Sequence, residues 1–389
     1  QRLLHVLDKK RIFRYLNRDS EQSEAFALEA EYKELTGCSY ALAVNSGTSA
    51  LISALVGLGV GPGDEVLMPA YAWVATASAV LSVNAIPILC EIDDSLTLDV
   101  EDLERKRTPR TKALIPVHMR GIAADMDPIM EWAQANNILV LEDAAQANGG
   151  QYRGRPLGSI GHVGCFSLQQ YKVVTSGEGG MIVTNDETIW QRAALYHDCA
   201  RNPFYFAELK IPGFYGQNYR ITELQAALCL GQMERMKAIT TAITDQKTKI
   251  SRGLQSVKGI QQSSAFGSSR DLGVSAVFYV PTAELAVPMA EALQGEGIPC
   301  DVLYRPDREN MHVYPYWDFL MERRDPWGGS HPWSLTEAGR AVTYWKDMCP
   351  RTLDVLSRGL QVRLNQYVTD ADGEDLVAAV AKVAAYLLP

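Results

Sequence analysis

ILVLEDAAQANGG, residues 138–150, opens on four apolar residues, meets an acid pair at Glu142 and Asp143, and closes on two glycines. A short apolar run bounded by turn residues reads as a buried strand. Asp143 stands at the strand's C-terminal end. Successive strand side chains point to opposite faces, so Glu142 and Asp143 must look in opposite directions. Two readings of Asp143 follow: an N-cap for whatever comes next, or a buried charge that awaits a cation.

Working outward, the same pattern recurs. EVLMPA (65–70), AIPILCEI (85–92) and KALIPVH (112–118) are further apolar runs of strand length. Between KALIPVH and ILVLEDAA lies DMDPIMEWAQANN (125–137), which opens on Asp and Pro as helices do. Upstream, TSALISALVGL (48–58) places Ala50, Leu51, Ala54, Leu55 and Leu58 on one helical face, and GVGPGDE then breaks the chain. Strands alternating with helices imply βαβ units and an α/β fold with a mostly parallel sheet. The alternation fades near residue 240. The expected organisation is an arm or entry helix over residues 1–20, a larger domain over 21–240 and a smaller C-terminal domain over 241–389, ending in the amphipathic EDLVAAVAKVAAYLL.

In open α/β sheets ligands gather beyond the C-terminal strand ends. Three such places carry suggestive groups. NSGTSAL (45–51) puts small residues at the start of the Thr48 helix, where free N–H groups and the helix dipole suit an anion; an ordinary Ser/Thr cap has the same composition. Asp143 is the second place, with Gln146 three residues on. The third is CFSLQQYKVVTSGEGGMIVT (165–184), in which Lys172 stands alone before a glycine cluster. A lysine facing a closed site loses its proton more readily, because burial disfavours the ammonium, and can then attack a carbonyl. A surface lysine beside a flexible turn is the bland reading of the same letters. Together the three supply what pyridoxal phosphate needs: a phosphate cup, a carboxylate for the pyridine nitrogen and an amine for the aldehyde.

The remaining composition narrows the field. The 389 residues carry a net charge of −9, which speaks against a general nucleic-acid or anionic-membrane binder. The seven cysteines form no CxxC pair and are odd in number, unlike a disulfide framework, so a reducing, cytoplasmic setting is expected. No apolar run approaches the roughly 20 residues of a membrane span. No histidine pair has metal-ligand spacing, so no metal site is expected. No glycine fingerprint follows a strand, which disfavours a nicotinamide enzyme.

NSGTSAL, GPGDEVLMPAYAWVATASAV, PRTKALIPVHMRG, DMDPIMEWA, LEDAAQANGGQYRGRPLGSIGHVGCFSLQQYK, GEGGMIVTND and NYRITELQAALCLGQMER occur in that order between Ala41 and Arg235. In these motifs the chain resembles the sugar aminotransferases of the DegT/DnrJ/EryC1/StrS family, which are fold-type-I pyridoxal-phosphate enzymes. The resemblance implies a mostly parallel central sheet flanked by helices, with a smaller C-terminal α+β domain. It implies Lys172 as the amine that joins the cofactor and shuttles the proton, and Asp143 as the partner of the pyridine nitrogen. Gln146 would contact the ring-oxygen side, and Trp73 would stack on the ring face. Gly47, Thr48, Ser49 and the Ser167 hydroxyl would hold the phosphate. Asn218 would reach the phosphate of a neighbouring subunit, implying a homodimer with shared sites. Arg220 would bind a donor carboxylate or brace the interface. His312 would line the acceptor pocket or merely pack. Glutamate or glutamine would be the donor, and a keto-sugar or keto-cyclitol the acceptor; SLQQYK and AWVATA are more like members acting on keto-cyclitols of the inosose type than like those acting on nucleotide sugars. Two departures stand out. HMRG at His118–Gly121 replaces the usual HLYG, and GLQVRLNQYVTD (359–370) stands near the place of the usual LPxHP segment.

Overall fold

The apolar runs assemble as their pattern requires. The computed structural model describes residues 1–15, 23–199, 210–265 and 268–388. The arm expected over residues 1–20 is therefore described only as far as Tyr15. Seven strands form the main sheet: β1 (Tyr40–Val44), β2 (Glu65–Pro69), β3 (Ile86–Cys90), β4 (Thr111–Leu114), β5 (Leu139–Asp143), β6 (Val163–Ser167) and β7 (Gly180–Thr184). Their order is β1-β7-β6-β5-β4-β2-β3. The pairs β6–β5, β5–β4, β4–β2 and β2–β3 are parallel, and β7 alone runs against both of its neighbours. The strand-length runs read from the sequence are thus β2 to β5. The helix expected over Thr48–Leu58 forms at Gly47–Gly57, and that expected over 125–137 forms at Met126–Ala135.

A second, four-stranded sheet follows: β8 (Gln261–Gln262), β9 (Ser275–Tyr279), β10 (Cys300–Val302) and β11 (Gly359–Arg363), ordered β8-β9-β11-β10 with antiparallel pairs. It packs against the helices Ala283–Gly295 and Asp370–Leu387 through Phe278, Met289, Leu293, Leu360 and Val380. The 32-residue helix Glu223–Leu254 joins the two regions; Ala226 and Leu230 near its start lie in a cluster with Leu28 and Val183, and Ile250 and Leu254 at its end join the second sheet's core. Aromatic residues of the C-terminal third, Tyr314, Trp317, Trp333 and Tyr344, are buried in the same cluster as Val66, Met68 and Leu89 of the main sheet. All seven cysteines are free thiols. Among the described residues, no helix is long and apolar enough to cross a membrane.

Two buried charges fasten the N-terminal segment. Arg14 is 1% exposed; its guanidinium pairs with Glu29 and donates to the Ala43 carbonyl of β1 at 2.5 Å. Glu223 caps the helix Glu24–Thr36 from outside, accepting from Glu24 N–H at 2.6 Å, Ala25 N–H at 3.3 Å and the Ser23 hydroxyl at 2.7 Å. The two backbone amides are orphan donors of a helix start, which no intrahelical carbonyl can satisfy. Glu223→Ala removes one acceptor from three donors. It should lower stability by about 1–3 kcal/mol in chemical denaturation. A midpoint unchanged from wild type would show that water replaces the carboxylate without cost.

Candidate active site

β1 leads into Asn45 and then into the helix Gly47–Gly57. Ser46 is its N-cap, accepting from Ser49 N–H at 3.0 Å, while the Ser49 hydroxyl donates to Asn45 Oδ1 at 2.6 Å. Ser49 is thus largely engaged in building the turn. Gly47 and Thr48 keep first-turn N–H groups that the helix itself cannot use. The turn is pressed onto the ends of β6 and β7. A Cβ on Gly47 would lie 2.8 Å from Ser167 Cβ, and one on Gly180 would lie 2.2 Å from the Ser46 carbonyl oxygen. The glycine cluster after Lys172 is therefore a close-packing device as well as a turn. Ser167, at the end of β6, is 7% exposed and borders this cup.

Asp143 ends β5 and is buried. Its Oδ2 accepts from the Thr76 hydroxyl at 2.9 Å and its Oδ1 from Ala145 N–H at 3.2 Å. Burial pushes its carboxyl above the ordinary value; the Thr76 and Ala145 bonds and the nearby Lys172 and His118 only partly offset this. Glu142 faces the other way, as strand alternation demands. It accepts from Gly158, Ile160 and Gly161 N–H groups and sits 2.9 Å from His118 Nε2. His118 Nδ1 accepts from Ala124 N–H at 3.1 Å, so the ring's Nε2 carries the proton toward Glu142. His118 is fully buried and serves as packing rather than facing the crevice.

Lys172 lies in the β6–β7 connection, its N–H on the Gln169 carbonyl at 2.9 Å. Burial lowers its ammonium pKa first; Asp143 and Glu178 work against this, and Arg120 adds to it. The Lys172 amine and the Asp143 carboxyl are thus each among the charges that act on the other.

One wall is aromatic. Trp73, 47% exposed, stands with its ring centroid 4.9 Å from that of His312. Backbone bonds from Ala72 and Val74 N–H to His312 and Met311 carbonyls, each 3.0 Å, hold the two segments together. Burial first, then Arg120, Lys172 and Arg363, push the His312 imidazole down to about 3, so it is uncharged at neutral pH. Gln146 accepts from Arg120 N–H at 3.1 Å, and the Arg120 guanidinium donates to Tyr71 Oη at 3.1 and 3.0 Å. Asn218 is exposed and its Oδ1 lies 3.4 Å from Arg220 N–H. Arg220 pairs with buried Asp198 and lies 5.5 Å over the Phe13 ring, so within this chain its guanidinium braces the N-terminal segment.

Sequence reasoning assigned no role to Thr76, Tyr71 or Arg363. Thr76 lies in the motif with Trp73, but nothing in one sequence says that its hydroxyl reaches Asp143. Arg363 ends β11 in the segment flagged as divergent.

The residues fit pyridoxal phosphate on the structure's own terms. Asp143 is a buried acid with two donors, and a positively charged ring N–H would complete it as an ion pair. The Gly47–Thr48 turn offers N–H groups with no side chain in the way.

The DegT/DnrJ/EryC1/StrS aminotransferase family matches residues 17–325. The chain is 44% identical over 209 residues to GDP-perosamine synthase of Caulobacter vibrioides, a match that spans 54% of this chain and only 56% of that enzyme. It is 32% identical to the L-glutamine:2-deoxy-scyllo-inosose aminotransferase of Streptoalloteichus tenebrarius, over 91% of this chain and 84% of that one. The solved aminotransferase of Psychrobacter cryohalolentis superposes with a TM-score of 0.80 at 26% identity, over 99% of this chain and 96% of that one. The chain belongs to the DegT/DnrJ/EryC1/StrS aminotransferase family.

Proposed function

We propose that the protein is a pyridoxal-phosphate-dependent aminotransferase that passes an amino group from glutamate or glutamine to the ketone of a keto-cyclitol of the inosose type or a keto-sugar. The observation that carries this reading is buried Asp143 at the end of β5, its carboxyl within electrostatic reach of the Lys172 amine, with the Gly47 turn packed against Ser167 nearby. The named acceptors of the relatives, 2-deoxy-scyllo-inosose above all, support the acceptor class. Cytoplasmic location, a role in secondary metabolism and a homodimer with shared sites belong to the same proposal.

Pyridoxal phosphate, when bound, supplies an aldehyde for the amino group and a ring that draws electrons from the carbon losing its proton. The protein supplies the rest. Gly47, Thr48 and Ser167 border the site for the phosphate, with Ser49 shaping the turn. Asp143, oriented by the Thr76 hydroxyl, would keep the ring nitrogen protonated. Trp73 would cover one ring face, and Gln146 would lie on the ring-oxygen side. Lys172 holds an amine whose proton burial makes easier to lose. It would take the proton from the donor carbon in the first half-reaction and return one to the acceptor carbon in the second.

Lys172→Ala should abolish the visible absorbance of lysine-bound cofactor and nearly all transamination while the fold persists. A chain still labelled through borohydride fixation would mean that another lysine serves. Asp143→Asn should retain the fold but leave the ring nitrogen poorly protonated. Losing a buried charge partner typically costs ~3–5 kcal/mol, and ~1.4 kcal/mol is tenfold in rate, so half-reactions should slow by orders of magnitude. Wild-type rates would remove Asp143 from the site. Asn218→Ala should weaken cofactor retention at limiting cofactor. Mixed with Lys172→Ala, it should restore activity above the sum of the two, since one site of each mixed dimer then carries neither lesion. No gain after subunit exchange shown by mass would exclude shared sites.

A further inference from the structure

The crevice holds a cation that the reaction scheme above does not use. Arg120 stands where the family's usual motif has an uncharged residue, and its backbone lies in the left-handed region, φ 56°. Its N–H is bonded to Gln146 Oε1, three residues beyond Asp143. Its guanidinium rests on Tyr71, both through the two hydrogen bonds to the hydroxyl and with its carbon 5.9 Å from the ring centroid. Tyr71 in turn lies 6.2 Å from His312, whose ring contacts Trp73. Among the described residues, Arg120 has no carboxylate partner, in contrast with half-buried Arg220 on Asp198 and Arg270 beside Asp125. The tyrosine hydroxyl occupies one edge of a five-donor fork. The guanidinium is thus held in place without being neutralised, close enough to Lys172 and His312 to depress both of their charges. A fixed, partly desolvated guanidinium recognises a planar carboxylate bidentately.

Chemistry selects which anion. An amino-acid donor carries its α-carboxylate on the very carbon that Lys172 must deprotonate, so that group has to lie within a few ångströms of the amine. A keto-cyclitol is uncharged, and the phosphates of a nucleotide sugar hang away from the reacting ketone. We propose that Arg120 is the donor-recognition residue, its free guanidinium edge taking the α-carboxylate of glutamate or glutamine. This rests on the aminotransferase reading. The same arrangement lets the site alternate substrates: the charged donor is gripped by Arg120, and the neutral ketone makes no demand on it.

The test compares L-glutamine with 4-aminobutanamide, the same molecule without its carboxylate, in single-turnover reactions of the cofactor-loaded enzyme. Arg120→Gln should raise the half-saturating concentration of L-glutamine by about tenfold or more, and leave the response to 4-aminobutanamide within a factor of about two. The preference of the enzyme for the carboxylate-bearing donor should therefore collapse. Arg120→Lys should restore part of it, since a point charge replaces the fork. Calorimetric binding of α-methyl-L-glutamate, which has no α-hydrogen to lose, should weaken by the same factor as glutamine in Arg120→Gln. Cofactor absorbance and thermal melting report whether the variant is otherwise intact; a variant that fails to load or fold is replaced in the same comparison by Tyr71→Phe, which frees the fork and should shift donor affinity alone. Equal losses for both donors, or unchanged affinity for α-methyl-L-glutamate, would overturn the inference while leaving the aminotransferase reading in place. A wild-type enzyme that turns over no amino donor would overturn both.

Discussion

The arrangement depends on one buried carboxylate that takes no part in the chemistry. Glu142 sits fully buried at the end of β5 and gathers His118 and the Gly158, Ile160 and Gly161 amides. A buried charge is tolerated only when its hydrogen bonds are supplied, and here four donors supply them. These bonds fix the rotation of β5 about its own axis. They also pull in the segment that leads to β6. Because strand side chains alternate, a β5 held by Glu142 on one face presents Asp143 on the other. A one-residue slip would exchange the two acids and empty the crevice of its carboxylate.

Function follows from this placement by short steps. The parallel strands deliver Asp143, Ser167 and the Asn45–Thr48 turn to one edge of the sheet, where helix starts and strand ends leave unused donors. The reversal of β7 brings its first glycine under the Ser46 carbonyl, and the connection into β7 carries Lys172 over the opening. Low dielectric then does what solvent would prevent. It raises one acid, lowers one amine and holds His312 neutral.

What the sequence revealed and what it hid have physical reasons. The strands β2 to β5 and the helix at Gly47 were legible because their signals are local: apolar period, length and glycine or proline punctuation. Asp143 and Lys172 were singled out because strand-end logic and the ordered family motifs pointed to the same letters. The Glu142 orientation needed only alternation. Thr76 and Tyr71 were not legible, since a hydroxyl's partner across the fold leaves no periodic trace. Arg120 was visible as a departure in HMRG, but its place beside Tyr71 and Gln146 depends on a left-handed backbone that no pattern announces. The aromatic middle of the C-terminal third was hidden for the same reason. Trp317 and Trp333 are buried against the main sheet by tertiary packing, over a stretch with little regular structure of its own.

The pairing of β1 with β7 has a consequence for synthesis. Tyr40 finds its partner in Thr184 and Val44 in Gly180, so β1 cannot be seated in the main sheet until β7, more than a hundred residues later, has been made. Until β7 emerges, Ala41–Val44 is an unpaired apolar edge and the Gly47 helix has no floor to rest on. Non-local closures of this kind are slow and leave nascent chains prone to association. The phosphate cup proposed on that same junction therefore forms only after most of the main sheet has been made.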